Sequence, residues 1–440
     1  MSNILIGLLS FGALLGLVFV RVPIGLAMLL CGWVGSWLVM GTPWPFLNQM
    51  KQVTYSTFSD YTLSVVPLFL LMGQFSAMGG ISQSLFRNAQ NWLGHRRGGL
   101  AMAAIGACAG FASISGSSMA TAATMGQVAL PELRRNGYSG ALATGTLAAG
   151  GTLGILIPPS LVLVVYATLT EQNIAKLFIC AFVPGFLAAL GYMIAIRVYV
   201  WFNPDEAGLR ERVPYAARLK DLLYIWDVLL IFVLVLGGIY GGVFTPTEAA
   251  AIGAFGTFLI ALLKGGLTRD QLMRAVFQTA TLSATLFFIL LGAGAYNTFL
   301  ALTQLPQETA AWVVQFGLSP WLIIGLMLVL YFILGGPMDS LSMILLTIPI
   351  FFPIVLSLDF GLTPEETGLW FGILVLVSAE VGMISPPVGM NLFIIQSMAR
   401  DVPTLQLFRG VMPFIYSDVL RTILLVAFPS ISLALLRWLY

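Results

Sequence analysis

Short clusters of serine, asparagine and carboxylate side chains interrupt the apolar stretches of this 440-residue chain in two places. The first place comprises FASISGSSMATAATMG (111–126) and GGTLGILIPPS (150–160), and the second comprises GGPMDS (335–340) and SAEVGMISPPVGMN (378–391). The glycines and prolines among these residues are expected to break helices. A broken helix offers carbonyl oxygens as ligands for a cation, while helix N-termini and hydroxyls stabilise an anion. The pattern therefore predicts the binding of ions and of a small anion.

In the first of these two regions, the candidate ligands are hydroxyl groups. We expect them at the tip of a hairpin, facing a helix break at Gly151 and Thr152. They are Ser113, Ser115, Ser117 and Ser118. Serine and glycine in membrane helices also mediate close packing, so a packing role remains the alternative for each of them.

In the second region, carboxylates are candidate ligands as well. Asp339 and Glu380 lie in apolar surroundings, and Ser385 and Asn391 lie beside the second Pro-Pro pair. Ionisable side chains inside a membrane are costly, which makes them functional candidates by default. Two interpretations of Glu380 stay open, a structural group bonded to the opened backbone or a protonatable coupling site. Glu248 follows a proline at the start of a span, so we expect it to cap that helix.

Composition indicates which elements must hold these residues. Hydrophobic residues make up 59% of the chain and charged residues 9%, whereas an average soluble domain has roughly 25% charged residues. Apolar stretches of about 20 residues, the length of a helical membrane span, recur along the chain. We expect an all-α polytopic membrane protein with about ten spans, the first of which is residues 4–20. That stretch lacks the basic region and the cleavage site of a signal peptide.

Several classes of function lack the residues that they require. The chain has one histidine and three unevenly spaced cysteines, too few for a zinc site or a disulfide framework. It contains no G-x-x-x-x-G-K-[ST] motif for hydrolysing ATP. We expect no enzymatic activity, no cofactor, no metal other than a coupling ion, and no nucleic-acid partner. Any transport by this chain would therefore take its energy from an ion gradient or from another subunit.

Basic residues predict the topology. One membrane topology satisfies the positive-inside rule, with the clustered Lys and Arg on the inner side of the membrane and both chain ends on the outer side. Basic residues flank the segment 99–132 on both sides, at 95–97 and 134–135. Both ends of that segment then lie on the inner side, which predicts a re-entrant hairpin with its tip at 113–118.

The remaining elements follow from the apolar stretches and their interruptions. The predicted spans are 4–20, 23–41, 62–81, 139–170, 176–200, 224–243, 246–263, 280–302, 367–398 and 410–436, with amphipathic stretches at 43–60 and 267–278. We expect 139–170 to break within 150–160 and 367–398 to break within 378–391. Residues 320–357, interrupted at 335–340, are expected to form a second hairpin.

The two halves of the chain repeat the same order of features. The Pro-Pro pairs begin at 158 and 386, and the Leu-Phe pairs at 177 and 407 keep nearly the same offset. Each half holds five spans and one hairpin, so an odd number of crossings turns the second copy upside down. The predicted units are a first inverted repeat (1–202), a cytoplasmic loop (203–222) and a second inverted repeat (223–440). This architecture is typical of secondary transporters that bind substrate and ions near the midplane.

These motifs, together with GVFTPTEAAAIGA (242–254) and LLTIPIFFP (345–353), resemble the large membrane subunit of tripartite ATP-independent periplasmic (TRAP) transporters. The resemblance covers nearly the whole chain. It implies an elevator transporter in the bacterial inner membrane, coupled to sodium. The implied substrate is an organic anion such as a C4-dicarboxylate or sialic acid. The implied partners are a periplasmic substrate-binding protein, a small membrane subunit of about four spans, and membrane lipid.

The resemblance also implies site residues. The sodium ligands carried over are Ser115, Gly116, Ser117, Gly151 and Thr152 in one site, and Gly336, Asp339, Ser385, Pro386 and Asn391 in the other. The substrate would lie between the hairpin tips, against Ser117, Ser118, Pro159, Asp339 and Pro387. Pro337 stands where a less constrained residue is expected, so it could alter the second tip.

Two alternatives come from different classes. A stand-alone ion-coupled anion transporter would need neither a binding protein nor a small subunit. An intramembrane enzyme would need a nucleophile and base, or twin aspartates, at matched depth. Asp339 and Glu380 have no convincing catalytic partner in the sequence.

Overall fold

The structure is a computed structural model that describes residues 2–265, 267–315, 317–336 and 338–439. Within these residues the chain is helical and contains no strand, which confirms the predicted all-α class. In the described part of the chain, eight helical stretches are long and apolar enough to cross a membrane. The remaining two of the ten predicted spans are apolar helices of 17 residues, Asn3–Phe19 and Ile24–Met40. Pro337 lies outside the described residues.

The described residues of the first half form ten α-helices. They are α1 Asn3–Phe19, α2 Ile24–Met40, α3 Trp44–Ser59, α4 Val65–Met78, α5 Ile81–Leu93, α6 Gly99–Ser115, α7 Ser118–Arg135, α8 Gly140–Leu156, α9 Leu161–Thr170 and α10 Ile174–Phe202. Helices α6 and α7 form the predicted first hairpin, here called hairpin 1. Helices α8 and α9 are the two parts of the predicted broken span.

The second half begins after a short helix, α11 Tyr215–Leu222, within the polar loop. Its helices are α12 Trp226–Phe232, α13 Gly238–Tyr240, α14 Pro246–Leu263, α15 Arg269–Thr303, α16 Leu305–Gln315, α17 Pro320–Leu334, α18 Ser340–Leu356, α19 Pro364–Ile384, α20 Met390–Met398, α21 Thr404–Ala427 and α22 Ser430–Leu439. A π-helical turn at 233–237 joins α12 to α13. Helices α17 and α18 form hairpin 2, and α19 and α20 form the second broken span.

Two sequence predictions about elements are wrong. Residues 267–278 and 280–302 are not separate, because α15 runs unbroken through 35 residues from a capping box at Thr268. The last span was predicted to run to 436, but α21 ends at Ala427 and α22 follows as a separate helix after Pro429. Proline has no backbone N–H and cannot continue the hydrogen bonds of α21. Between α4 and hairpin 1, the chain forms the amphipathic helix α5.

Contacts between the halves come in exchanged pairs. When a helix of the first half packs against a helix of the second half, the helices at the corresponding positions in the opposite halves also pack against each other. In the outer frame, α2 packs against α15 while α4 packs against α14. In the core, α7 packs against α20 while α9 packs against α18, and α8 packs against α21 while α10 packs against α19. The hairpins and broken helices therefore form one packed body. That body positions the candidate site.

Candidate functional site

The tip of hairpin 1 is a tight turn between α6 and α7. Gly116 has a φ of +60°, a conformation that glycine adopts without strain. Ser117 caps α7 by accepting a hydrogen bond from the Ala120 amide at 3.4 Å. The Ser115 and Thr121 hydroxyl oxygens lie 2.7 Å apart, and the Thr121 hydroxyl also donates to the Ser117 carbonyl at 2.8 Å. These bonds fix the backbone of the tip.

The first broken span meets this tip. Helix α8 ends at Leu156, and α9 begins after the cis Pro158–Pro159 bond. The amide of Leu161 donates to the Gly116 carbonyl at 3.4 Å. A Cβ built on Gly154 would lie 2.4 Å from the Ser117 carbonyl oxygen, so only glycine allows α8 to approach the tip this closely.

Gly151 and Thr152 are not at the helix break, contrary to the sequence prediction. Both lie inside α8, more than one turn before its end at Leu156. The Thr152 hydroxyl donates to the Ala149 carbonyl at 2.8 Å and lies 3.0 Å from the Tyr192 hydroxyl. The break lies within the predicted range 150–160 but at its Pro-Pro end, because Pro158 and Pro159, rather than the glycines, remove the amide donors that would continue α8.

Asn391, which the resemblance placed in the second site, contacts the tip of hairpin 1. Its amide donates to the Ser118 hydroxyl at 2.8 Å and to the Ala148 carbonyl at 3.2 Å. A Cβ on Gly151 would lie 3.0 Å from that amide nitrogen. Since Asn391 lies in the first turn of α20, the second half of the chain contacts the tip of hairpin 1.

The tip of hairpin 2 places Asp339 at the start of α18. The Asp339 carboxylate caps α18, accepting bonds from the Ser342 amide at 3.2 Å and from the Ser342 hydroxyl. The tip packs on α19 through two glycines, since a Cβ on Gly382 would lie 2.5 Å from the Gly335 Cα. The Ser340 hydroxyl lies 3.0 Å from the Met383 sulfur.

The remaining second-site residues lie around the break in α19. The Ser385 hydroxyl donates to the Val381 carbonyl at 2.6 Å, one turn back in the same helix. The Pro386–Pro387 bond is cis, like its counterpart in the first half. Pro387 is exposed, whereas Pro158 and Pro159 are buried. The two breaks therefore have different surroundings.

A cavity of about 50 Å³ lies between the two hairpin tips. A water needs roughly 10–15 Å³ of such volume, so the cavity has room for water or an ion. Its lining residues are Gly116, Ser117, Ser118, Met119, Ile155, Leu161, Val162, Asp339, Ser340, Leu341 and Met383. Of the predicted site residues, Gly116, Ser117, Ser118 and Asp339 line it. Ser115, Gly151, Thr152, Pro159, Gly336, Ser385, Pro386, Pro387 and Asn391 are not among its lining residues.

Three helices begin at this cavity. Ser117 and Ser118 start α7, Leu161 starts α9, and Ser340 starts α18. The N-terminal end of a helix carries partial positive charge and unpaired amide donors. Among the lining residues, Asp339 is the one charged side chain. The arrangement can therefore hold an anion on helix N-termini and a cation beside Asp339.

A salt bridge joins α7 to the segment after α20, at the ends of these helices that lie far from the tip of hairpin 1. Arg134, near the end of α7, donates to Asp401, just after α20, at 2.7 Å. This hydrogen bond lowers the pKa of Asp401 below its usual value. Hairpin 1 and the second broken span are thus tied at both the tip and the base.

The sequence analysis missed a buried charged cluster. The Arg421 guanidinium lies 2.7 Å from the Glu380 carboxylate and 3.0 Å from the Asp418 carboxylate. Asp418 and Arg421 are three residues apart in an apolar helix, which was the available signal.

Known proteins are similar to this chain. The sequence model of the family described as "Tripartite ATP-independent periplasmic transporter, DctM component" matches residues 11–431. The chain is 38% identical, over 88% of each chain, to the C4-dicarboxylate TRAP transporter large permease protein DctM of Pseudomonas aeruginosa. It is 30% identical, over 96% of each chain, to the sialic acid TRAP transporter large permease protein SiaM of Vibrio cholerae.

A longer relative and a solved structure are also similar. The isethionate TRAP transporter permease protein DctMQ of Oleidesulfovibrio alaskensis is 30% identical over 94% of this chain and 67% of that protein. The crystal structure of the Alcanivorax borkumensis YdaH transporter matches with a TM-score of 0.65 at 16% identity, covering 88% of this chain and 90% of that chain. At that identity the likeness is one of fold alone.

Proposed function

Because this chain belongs to the DctM-component family of TRAP transporters, we propose that it imports an organic anion across the bacterial inner membrane, driven by sodium. The observation that carries the proposal is the cavity between the hairpin tips, where α7, α9 and α18 begin. No basic side chain lines the described part of this cavity. Helix N-termini and the hydroxyls of Ser117, Ser118 and Ser340 would then bind the anion.

Asp339 supports coupling to a cation. A carboxylate beside a bound anion is unfavourable, because two like charges repel in a low-dielectric site. A sodium ion between them removes this repulsion, so the anion and the ion bind best together. Each ligand then raises the affinity for the other, as linkage requires.

We place two sodium sites at the two tips. The first would use oxygens of Ser115, Gly116 and Ser117, with Gly151 and Thr152 supporting it from α8. The second would use Gly336 and Asp339 of hairpin 2 with Ser385 and Pro386 at the break in α19. Asn391 bonds Ser118 in the first tip, so we assign it to the first site.

The exchanged helix contacts support two inverted repeats, 1–202 and 223–440. An internal two-fold axis that relates α7 to α18 and α9 to α20 maps the α7–α20 contact onto the α18–α9 contact. Such an axis in the membrane plane is the arrangement of inverted-repeat transporters. We propose that the hairpins and broken spans move as an elevator against the frame formed by α2, α4, α14 and α15. The cavity of about 50 Å³ would widen when the tips part to admit substrate.

The substrate class and the partners are further parts of the proposal. The relatives named for C4-dicarboxylates, sialic acid and isethionate indicate small organic acids. The name DctMQ denotes a longer permease of which this chain covers 67%. We propose that a small four-span membrane subunit and a periplasmic binding protein work with this chain.

The test is uptake of labelled organic acids into proteoliposomes that hold this chain with its small subunit. We expect uptake to require both an inward sodium gradient and the binding protein. Sodium-driven uptake without the binding protein would instead support the stand-alone alternative. Uptake that is indifferent to sodium would refute the coupling.

A matched pair of aspartate variants tests the site. Asp339→Ala removes the charged residue of the cavity, and we expect sodium-dependent uptake to be lost while membrane insertion stays normal. Asp359→Ala is the control, because Asp359 is exposed and accepts one bond, from the Gly361 amide at 2.9 Å. Equal uptake by the two variants would remove Asp339 from the site.

A further inference from the structure

A chain of polar side chains crosses the core from α8 to α19. The Thr152 hydroxyl lies 3.0 Å from the Tyr192 hydroxyl, which donates to the Asp418 carboxylate at 2.7 Å. Arg421 Nη2 lies 3.0 Å from Asp418 and donates to Glu380 at 2.7 Å. Thr152, Tyr192, Asp418 and Glu380 are fully buried, and Arg421 is 6% exposed. The network does not line the cavity between the tips.

The ends of this network occupy equivalent positions in the two broken spans. Thr152 precedes Pro158 by six residues, and Glu380 precedes Pro386 by six residues. The links between them come from α10 and α21, which follow the two broken spans. The network therefore joins corresponding points of the two halves.

The charges in the network do not balance if both carboxylates are ionised. Two carboxylates then face one guanidinium, which leaves a net charge of −1 among buried residues. The titratable groups that act on one another here are Glu380, Asp418, Arg421 and Tyr192. An uncompensated charge in a dry interior is costly, so a carboxyl group there takes up a proton.

The contacts distinguish the two carboxyl groups. Asp418 Oδ2 accepts a hydrogen bond from the Tyr192 hydroxyl, and Asp418 Oδ1 lies 3.0 Å from Arg421 Nη2 in a salt bridge that lacks hydrogen-bond geometry. Glu380 Oε2 accepts a hydrogen bond from Arg421, and Glu380 Oε1 has no partner in the described part of the chain. Hydrogen bonds and a nearby positive charge both favour the charged form of a carboxylate, and they act on both oxygens of Asp418 but on only one oxygen of Glu380. Asp418 is thus the better site for the negative charge, and Glu380 the better site for the proton.

We propose that Glu380 is a protonated positioning residue: with a charged Asp418–Arg421 pair it forms a neutral network that holds the two broken spans together during transport. Glu380 then takes no part in sodium binding. This role rests on the proposed transport function. In this role, the network fixes the point six residues before each Pro-Pro pair, and so fixes where the two tips lie relative to one another.

The experiment compares Glu380→Gln with Asp418→Asn in the complete membrane complex. Glutamine reproduces a protonated Glu380, so we expect its melting temperature in detergent to stay within about 2 °C of wild type. Sodium-driven uptake should stay within about twofold of wild type between pH 6 and 8. In Asp418→Asn the negative charge that balances Arg421 must move to Glu380, which has a donor at only one oxygen, so we expect a melting temperature lower by on the order of 5 °C or more and a clear loss of uptake.

Opposite rankings of the two variants overturn the proposal. A stable Glu380→Gln protein that has lost sodium-driven uptake would make Glu380 a coupling group. If Glu380→Gln is less stable than Asp418→Asn, the proton belongs on Asp418 instead. Equal losses of stability in the two variants would also contradict the assignment. The melting comparison does not depend on uptake, so it still tests the network if the wild-type complex shows no sodium-driven transport.

Discussion

Replacing Gly154 by alanine tests whether α8 holds the tip of hairpin 1 in its binding geometry. The new Cβ would lie 2.4 Å from the Ser117 carbonyl oxygen and 2.8 Å from the Thr121 hydroxyl oxygen. Cβ atoms essentially never approach a heavy atom closer than 3.0 Å. The tip must therefore move by at least 3.0 − 2.4 = 0.6 Å, and its backbone cannot rotate away as a side chain would.

The expected size of the effect follows from this overlap. Overpacking of a close-packed interior costs about 1–3 kcal/mol. If that strain falls on the bound state, it weakens binding roughly 5- to 150-fold, since 1.4 kcal/mol corresponds to tenfold. We expect the sodium concentration for half-maximal uptake to rise by such a factor, because Ser115, Gly116 and Ser117 at the tip are our proposed ligands.

The assay is initial uptake into proteoliposomes at graded sodium concentrations, with the amount of inserted protein measured in parallel. Gly325→Ala is the matched control, because it adds the same methyl group in α17 where nothing lies within 4 Å. We expect the control to keep the sodium dependence of wild type. The same sodium dependence in Gly154→Ala would refute the claim that α8 sets the geometry of the tip.

Three further predictions concern single side chains. Ser117→Leu should abolish uptake while insertion stays normal, because the larger side chain fills the cavity between the tips; normal transport would favour a packing role for this serine. Asn391→Ala should raise the substrate concentration for half-maximal uptake, because it removes the 2.8 Å bond to Ser118, and unchanged kinetics would separate Asn391 from the site. Thr245→Ala removes one half of the capping box with Glu248, so unfolding should become easier by about 1 kcal/mol in denaturant titrations, with uptake unaffected; a transport defect at equal stability would argue against a purely capping role.

The sequence was sufficient for features that depend on local chain chemistry. Apolar stretches of span length predicted a membrane protein of helices, and the structure confirms the all-α class. The interruptions at Gly116 and at the two Pro-Pro pairs were also predicted, because glycine and proline act on the backbone where they stand. The capping role of Glu248 was predicted correctly for the same reason.

Features that join distant parts of the chain required the tertiary structure. Asn391 lies beside the first tip rather than the second, since α20 packs against α7. Arg421 gained an assignment only when α21 was seen to place it against Glu380, 41 residues away. Spacing along a helix specifies which side chains share a face, but the partner of that face is decided by how the helices pack. The sequence by itself therefore determined the membrane class and the positions of the breaks, while the packing of the two halves decided which residues meet at the tips.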